Sequence, residues 1–306
     1  MPSVLFVFLD GVGLGPAGAD NPLSTLGLPA FERLAGGQRW TAEAGPVHQP
    51  QHVFRPIDAT LGVDGLPQSG TGQAALFSGT NAARTHGRHF GPYPPTTVRP
   101  DLAAHSVFAR LVGAGLPADR LAFANAYPDR FFRYAEAKGR WTATTFMARA
   151  AGVRLRRADD LRAGRALAAD LTGEAWRRLF DPGLDPVPEA EAGRRLAALL
   201  GAHDAVLYEH FATDKAGHSR DPDRARDVLT ALDRFLGGVL GALPADALLV
   251  VSSDHGNIED LSVKTHTRHP VPLVAWGPGA DVFGAAASLL DVAPAIEALA
   301  RRRLIS

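Results

Sequence analysis

Asp10, Ser69, Asp214, His218, Asp254, His255 and His266 share a placement in this 306-residue chain that packing does not call for. Asp10 closes the apolar run Val4-Leu5-Phe6-Val7-Phe8-Leu9, and Asp254 with His255 follows the run from Ala247 to Val251. A buried strand gains nothing from a carboxylate at its carboxyl end, whereas open α/β sheets bind their ligands at that edge. Asp214 and His218 are four residues apart, so a helical turn puts both on one face, close enough to chelate one ion. His266 stands in a loop that leads into a further apolar run ending at Trp276. Taken together the residues have the composition of a two-metal site. Asp and His donors suit Mn²⁺ or Zn²⁺, and a pair of such ions about 4 Å apart activates a nucleophile while balancing the charge of a phosphoryl group.

The stretch from Gly65 to Gly79 supplies the hydroxyls. Ser69 or Thr71 falls near the start of a short apolar helix, where free N–H groups and the helix dipole favour anions and lower a hydroxyl's effective pKa. Ordinary N-capping accounts for a Ser or Thr there equally well until the metal ligands are added.

Holding these groups together calls for an α/β fold. The runs at Val4 to Leu9, Ala205 to Tyr208 and Ala247 to Val251 are continuous rather than alternating, as parallel strands covered on both faces are. Helices are expected at Pro29 to Leu34, Pro222 to Leu240 and Ala285 to Arg301. From Phe90 to His203 the character changes. Gly91-Pro92-Tyr93-Pro94-Pro95 marks an exit, and the segment beyond is rich in Arg and Ala, without strand–helix alternation. Its patterns predict helices at Leu102 to Gly113, Ala143 to Ala151, Leu161 to Leu179 and Pro188 to Leu200. The expected division is a core of 1–89 and 204–306 with an inserted cap of 90–203.

Composition excludes several alternatives. Lys plus Arg and Asp plus Glu are 32 each, so no net charge draws the chain to nucleic acid or an anionic membrane. Cysteine is absent, which rules out thiolate ligands, disulfides and a cysteine nucleophile. Gly11, Gly13 and Gly15 follow the first strand but lack the spacing of a dinucleotide-binding turn. The N-terminal apolar run has no basic leader and meets Asp10, so it reads as a strand and not a signal peptide. No run reaches membrane-spanning length, and a cytoplasmic protein is expected.

In this order, Leu9-Asp10-Gly11, Ser69-x-x-Gly72, Asp214-x-x-Gly217-His218, Asp254-His255-Gly256-Asn257 and His266-Thr267 before Val271-Pro272 make a pattern that resembles the alkaline phosphatase superfamily. Within it the likeness is to the branch of cofactor-independent phosphoglycerate mutase and phosphopentomutase, over Met1 to Phe90 and Asp204 to Leu299. The resemblance implies a three-layer sandwich with a mostly parallel central sheet and helices on both faces. It implies that Asp214, His218 and His266 hold one metal and Asp10, Asp254 and His255 the other, with Ser69 bridging them as nucleophile. Ser69 is preferred to Thr71 because it lies three residues before Gly72, as the family's nucleophile does. Gln73 departs from the family, whose mutases commonly carry His there. Arg84, His86, Arg88 and His89 before the cap, and Lys215 and Arg268 inside the ligand motifs, are candidate phosphate contacts.

The leading reading is a dinuclear phosphoryl-transfer enzyme acting on small phosphoesters through a phosphoserine, of phosphatase-like hydrolase type. The alternative is an intramolecular phosphomutase of phosphoglycerate or phosphopentose type, and a third is a non-catalytic binding protein on the same fold. Sulfatase activity has no Cys to serve it.

Overall fold

The computed structural model describes residues 2–303. Its strands are β1 (Ser3–Leu9), β2 (Val47–Gln49), β3 (His52–Ile57), β4 (Leu121–Phe123), β5 (Ala205–His210), β6 (Ala247–Ser253) and β7 (Val271–Trp276). They form one sheet in the order β2-β3-β7-β6-β1-β5-β4. The strands β6, β1, β5 and β4 run parallel, and β7, β3 and β2 extend the sheet in antiparallel pairs.

Register explains why the candidate site residues gather. Leu9 pairs with both His210 of β5 and Ser253 of β6, so three strands end level and release Asp10, the Asp214 helix and Asp254 side by side. Both faces of the sheet are covered, as the unbroken apolar runs demand. Val4, Phe6 and Phe8 face one layer, where Phe77 packs edge-on at 5.9 Å from Phe6 and 5.1 Å from Phe8. Leu5, Val7 and Leu9 face the other, with Phe235 and Leu236 of the helix Pro222–Ala242. The helix Ser69–Ser78 is buried on every side, which matches its lack of a polar face.

The segment 90–203, expected as an inserted cap, is in part built into the core. It contains β4, which pairs in parallel with β5, and its helices Arg99–His105, Val107–Gly113 and Ala143–Ala150 share the apolar cluster of the sheet's own layer. At three residues β4 is too short to leave a periodicity. Two small satellite clusters, one about Trp176 and one about Phe132 and Trp141, mark the part that stands outside the sheet. The expected helix from Leu102 to Gly113 breaks at Ser106, whose extended backbone (ψ 157°) lets its hydroxyl cap the second helix. The expected helix from Leu161 to Leu179 is two short helices, Ala158–Arg162 and Glu174–Leu179, because Gly164, Leu171 and Gly173 take positive φ between them. Strand β3 is not among the strands expected from the sequence, since Arg55 and Pro56 interrupt its apolar residues. It tolerates Pro56 because β2 pairs only as far as Phe54, so no neighbour on that side needs the missing N–H.

Candidate metal centre

Beyond the level strand ends, three imidazoles point one nitrogen inward. Nδ1 of His266 faces the Pro67 carbonyl at 2.7 Å, Nδ1 of His218 faces that of Lys264 at 2.9 Å, and Nδ1 of His255 faces that of Gly256 at 3.3 Å. Each carbonyl takes an Nδ1 proton, which turns Nε2 toward the carboxylates, the arrangement that orients metal-binding histidines.

The free nitrogens meet carboxylates. His266 Nε2 lies 3.1 Å from His218 Nε2 and 3.5 Å from Asp214 Oδ1, and His218 Nε2 lies 3.4 Å from the same oxygen. His255 Nε2 lies 3.3 Å from Asp10 Oδ1 and 3.5 Å from Asp254 Oδ2. The six donors expected from the sequence are thus in two adjoining groups. His255 also stacks on His266, with ring centres 3.8 Å apart, and its donor atom groups with Asp214 and His266 as closely as with Asp10 and Asp254. The expected division assigned His255 to one set only; here it stands between them.

These residues fit divalent cations. Asp10 Oδ1 and Asp254 Oδ2 are buried without a hydrogen-bond donor, a costly state for carboxylates unless positive charge adjoins them. Burial pushes the Asp254 carboxyl well above its usual range, the Asp10 and Asp214 charges add to this, and His255 offsets part of it. Burial works against charge on His255 too, but the Asp254 and Asp10 carboxylates outweigh it and raise the imidazole to about 10. Burial likewise opposes ionisation of Asp214, yet His266, His255, Asn257 and His218 hold it down to about 2. In the metal-free protein a proton therefore sits where a dication would balance the same carboxylates.

Ser69 opens its helix, and its Oγ lies 3.0 Å from His255 Nε2. Thr71 is turned away: its hydroxyl faces the Gln68 and Phe90 carbonyls and accepts from the Phe90 N–H at 3.1 Å. Two glycines let the parts close up. A Cβ on Gly72 would lie 2.9 Å from the Asp254 carbonyl oxygen, and Gly11, at φ +71°, would meet Asp214 at 2.8 Å.

Several residues to which the sequence assigned no role support the site. Gln73 donates to Asp10 Oδ2 at 3.3 Å, leaving Oδ1 as the unpartnered oxygen, and Asn257 donates to Asp214 Oδ1 at 2.6 Å. Glu209, buried at the end of β5, accepts from Thr144 at 2.7 Å and from Tyr127 at 3.4 Å. Burial raises it to about 7, with Asp10 adding to the effect. An acid closing an apolar run was the signal that marked Asp10 and Asp254, and it held for Glu209 as well.

The candidate phosphate contacts are less gathered. Arg84 and Arg88 are exposed, and Arg88 lies over the Phe90 ring; neither bonds to a candidate ligand among the described residues. Arg268 is exposed, and its charge bears on His89. Lys215, next to Asp214, holds its ammonium 4.2 Å from the Phe211 ring centre.

The family model of the metalloenzyme superfamily matches residues 189–300, the stretch that carries Asp214, His218, Asp254, His255 and His266. Phosphopentomutase of Chromohalobacter salexigens is 39% identical over 102 residues, which is 33% of this chain and 22% of that protein. A 2,3-bisphosphoglycerate-independent phosphoglycerate mutase of Dinoroseobacter shibae is 34% identical over 109 residues, again 33% and 22%. The matched stretch thus spans about a fifth of these relatives. Among solved structures, alkaline phosphatase from the Antarctic bacterium TAB5 superposes with a TM-score of 0.57 at 13% identity, covering 98% of both chains. A Pyrococcus horikoshii protein does so with 0.56 at 16%, covering 98% of this chain and 97% of its own. No helix among the described residues is long and apolar enough to cross a membrane. The fold is thus alkaline-phosphatase-like, and residues 189–300, where most of the candidate ligands stand, match the metalloenzyme superfamily.

Proposed function

We propose that this protein moves a phosphoryl group between two hydroxyls of one substrate, as a metal-dependent phosphomutase. The observation that carries the reading is the likeness to phosphopentomutase and phosphoglycerate mutase over about a third of the chain, beside a metalloenzyme family match over residues 189–300, which hold five of the seven candidate ligands. The reading reverses the order of preference drawn from the sequence, where hydrolysis led.

Asp214, His218 and His266 would hold one divalent ion and Asp10, Asp254 and His255 the other, Mn²⁺ or Zn²⁺ by donor type, with Ser69 beside both. Bound there, such ions supply positive charge against the phosphoryl oxygens and an acidified serine hydroxyl. Ser69 Oγ attacks phosphorus in line with the substrate oxygen that leaves. The Oγ–P bond forms as the P–O bond breaks, and the serine proton ends on the departing oxygen. A second hydroxyl of the same molecule then attacks the phosphoserine, and its proton returns to Ser69 Oγ. Gln73 and Asn257 hold Asp10 and Asp214 in place throughout.

A hydrolase is the second reading, favoured by solvent access: the His218 side chain is 43% exposed, so water reaches the ligand cluster. Water then replaces the second hydroxyl, and inorganic phosphate leaves. Incubating the Mn²⁺- or Zn²⁺-loaded protein with pentose phosphates and phosphoglycerates separates the two. Positional isomers without free phosphate are expected; stoichiometric phosphate release with no isomer would overturn the mutase.

A further inference from the structure

Beyond Lys215, next to Asp214, the chain forms an open cleft of about 970 Å³ between the segments at 126–134 and 169–180 and the start of the helix Ala212–Ser219. The rings of Phe131, Tyr134, Trp176, Phe180 and Phe211 line it. Tyr134 and Leu179, both in its wall, are 44% and 54% exposed and are two of the four large apolar side chains left open to solvent among the described residues. The buried Trp176 indole N–H has no partner among the described residues.

The same wall is cationic. Arg130, Arg178, Arg224 and Lys215 line it, and none of them is in an ion pair among the described residues. Asp170, the acid of this wall, is used up by the Gly173 and Ala175 backbone N–H groups. Arg130 and Lys215 already lie over ring faces, at 4.1 Å from Phe180 and 4.2 Å from Phe211. The volume is at the upper end for small-molecule sites, and a triose or pentose phosphate leaves most of it to water. Aromatic walls select planar rings by stacking, and unpaired guanidinium groups select anions.

We propose that the organic part of the substrate is of the nucleotide class: an aromatic base among these rings, the ribose at the end of the cleft where Lys215 adjoins Asp214, and a second phosphate on the arginines. This rests on the phosphoryl-transfer reading above, and it supplies that reading with its two hydroxyls, both on the ribose. The transfer itself is as written there, from one ribose oxygen to Ser69 Oγ and on to another, with the proton exchanged each time.

The test is calorimetric binding of adenosine 3′,5′-bisphosphate and of ribose 5-phosphate to the full-length, Mn²⁺-loaded protein. The nucleotide is expected to bind roughly tenfold tighter or more. Tyr134→Ala and Arg178→Ala, both at exposed positions, should each cut that preference roughly fivefold with an unchanged Tm. Equal binding of the two probes, or a preference that survives in both variants, overturns the proposal. Phosphoryl transfer on ribose 5-phosphate without nucleotide preference sinks this inference and leaves the enzyme reading standing. Nucleotide preference with no transfer on any ester does the reverse.

Discussion

Ser69 Oγ and His255 Nε2 are 3.0 Å apart although 186 residues separate them in the chain, and the contact joins the start of a buried helix to the loop after β6. It sets the nucleophile candidate against the one imidazole that stands between both ligand groups.

Replacing Ser69 with Ala should lower turnover by roughly 10³-fold or more, while divalent metal measured on the purified protein stays at the wild-type ratio. Thr71→Ala is the comparison. Its hydroxyl bonds only to backbone, so turnover should stay within roughly tenfold. The assignment passes to Thr71 if the two results are exchanged.

Metal and stability should be linked through the orphaned carboxylate oxygens of Asp10 and Asp254. Chelation should lower the Tm, and Mn²⁺ or Zn²⁺ at a hundred times its Kd should restore about 3 kcal/mol. Asp254→Asn separates the causes. Without metal it should be more stable than wild type, since a buried carboxylate beside Asp10 is gone, yet it should lose most of the metal-induced gain. An Asn variant that gains as much from metal as wild type would remove Asp254 from the ligand set.

Two neighbours at the end of β5 oppose one another in pH dependence. Glu209 is raised to about 7 by burial, so the folded state binds the extra proton and stability falls as pH rises from about 4.5 to 7. His210 is lowered to about 4 by burial, so the unfolded state binds the extra proton and stability rises with pH from about 4 to 6.5. Glu209→Gln removes the first slope and leaves the second. Denaturant unfolding of the metal-free protein should show the variant gaining on wild type by on the order of 3 kcal/mol between pH 5 and 7.5. A constant difference across that range contradicts a raised Glu209.

Gly72→Ala should disturb the site without touching a ligand. The added Cβ lies 2.9 Å from the Asp254 carbonyl oxygen, so the helix Ser69–Ser78 must move away from the β6 loop. A loss of about 1–3 kcal/mol in unfolding free energy is expected, with weaker metal binding by titration. Unchanged metal affinity would show that the loop yields without moving Asp254.

The sheet's parallel half was legible because β1, β5 and β6 are covered on both faces and must be apolar throughout, and a carboxylate at the end of such a run has no packing role. Asp10, Asp214, His218, Asp254, His255 and His266 were marked in this way, by residue type and local spacing alone. Short or bordering elements left no such trace: β4 has three residues, β3 carries Pro56 and Arg55, and Gly164 after one helix and Gly173 before the next interrupt a spacing that would continue. What tertiary structure alone decided is relational. The level register of β1, β5 and β6 puts His255 between the two ligand groups, packing turns Ser69 inward and Thr71 away, and the fold brings Lys215, Trp176 and Arg130 around one cavity. Chemistry-bearing types are written locally because each strand end selects its own residue, while distances between them depend on segments as far apart in the chain as Gly11 and Asp254, 243 residues, which no local pattern encodes.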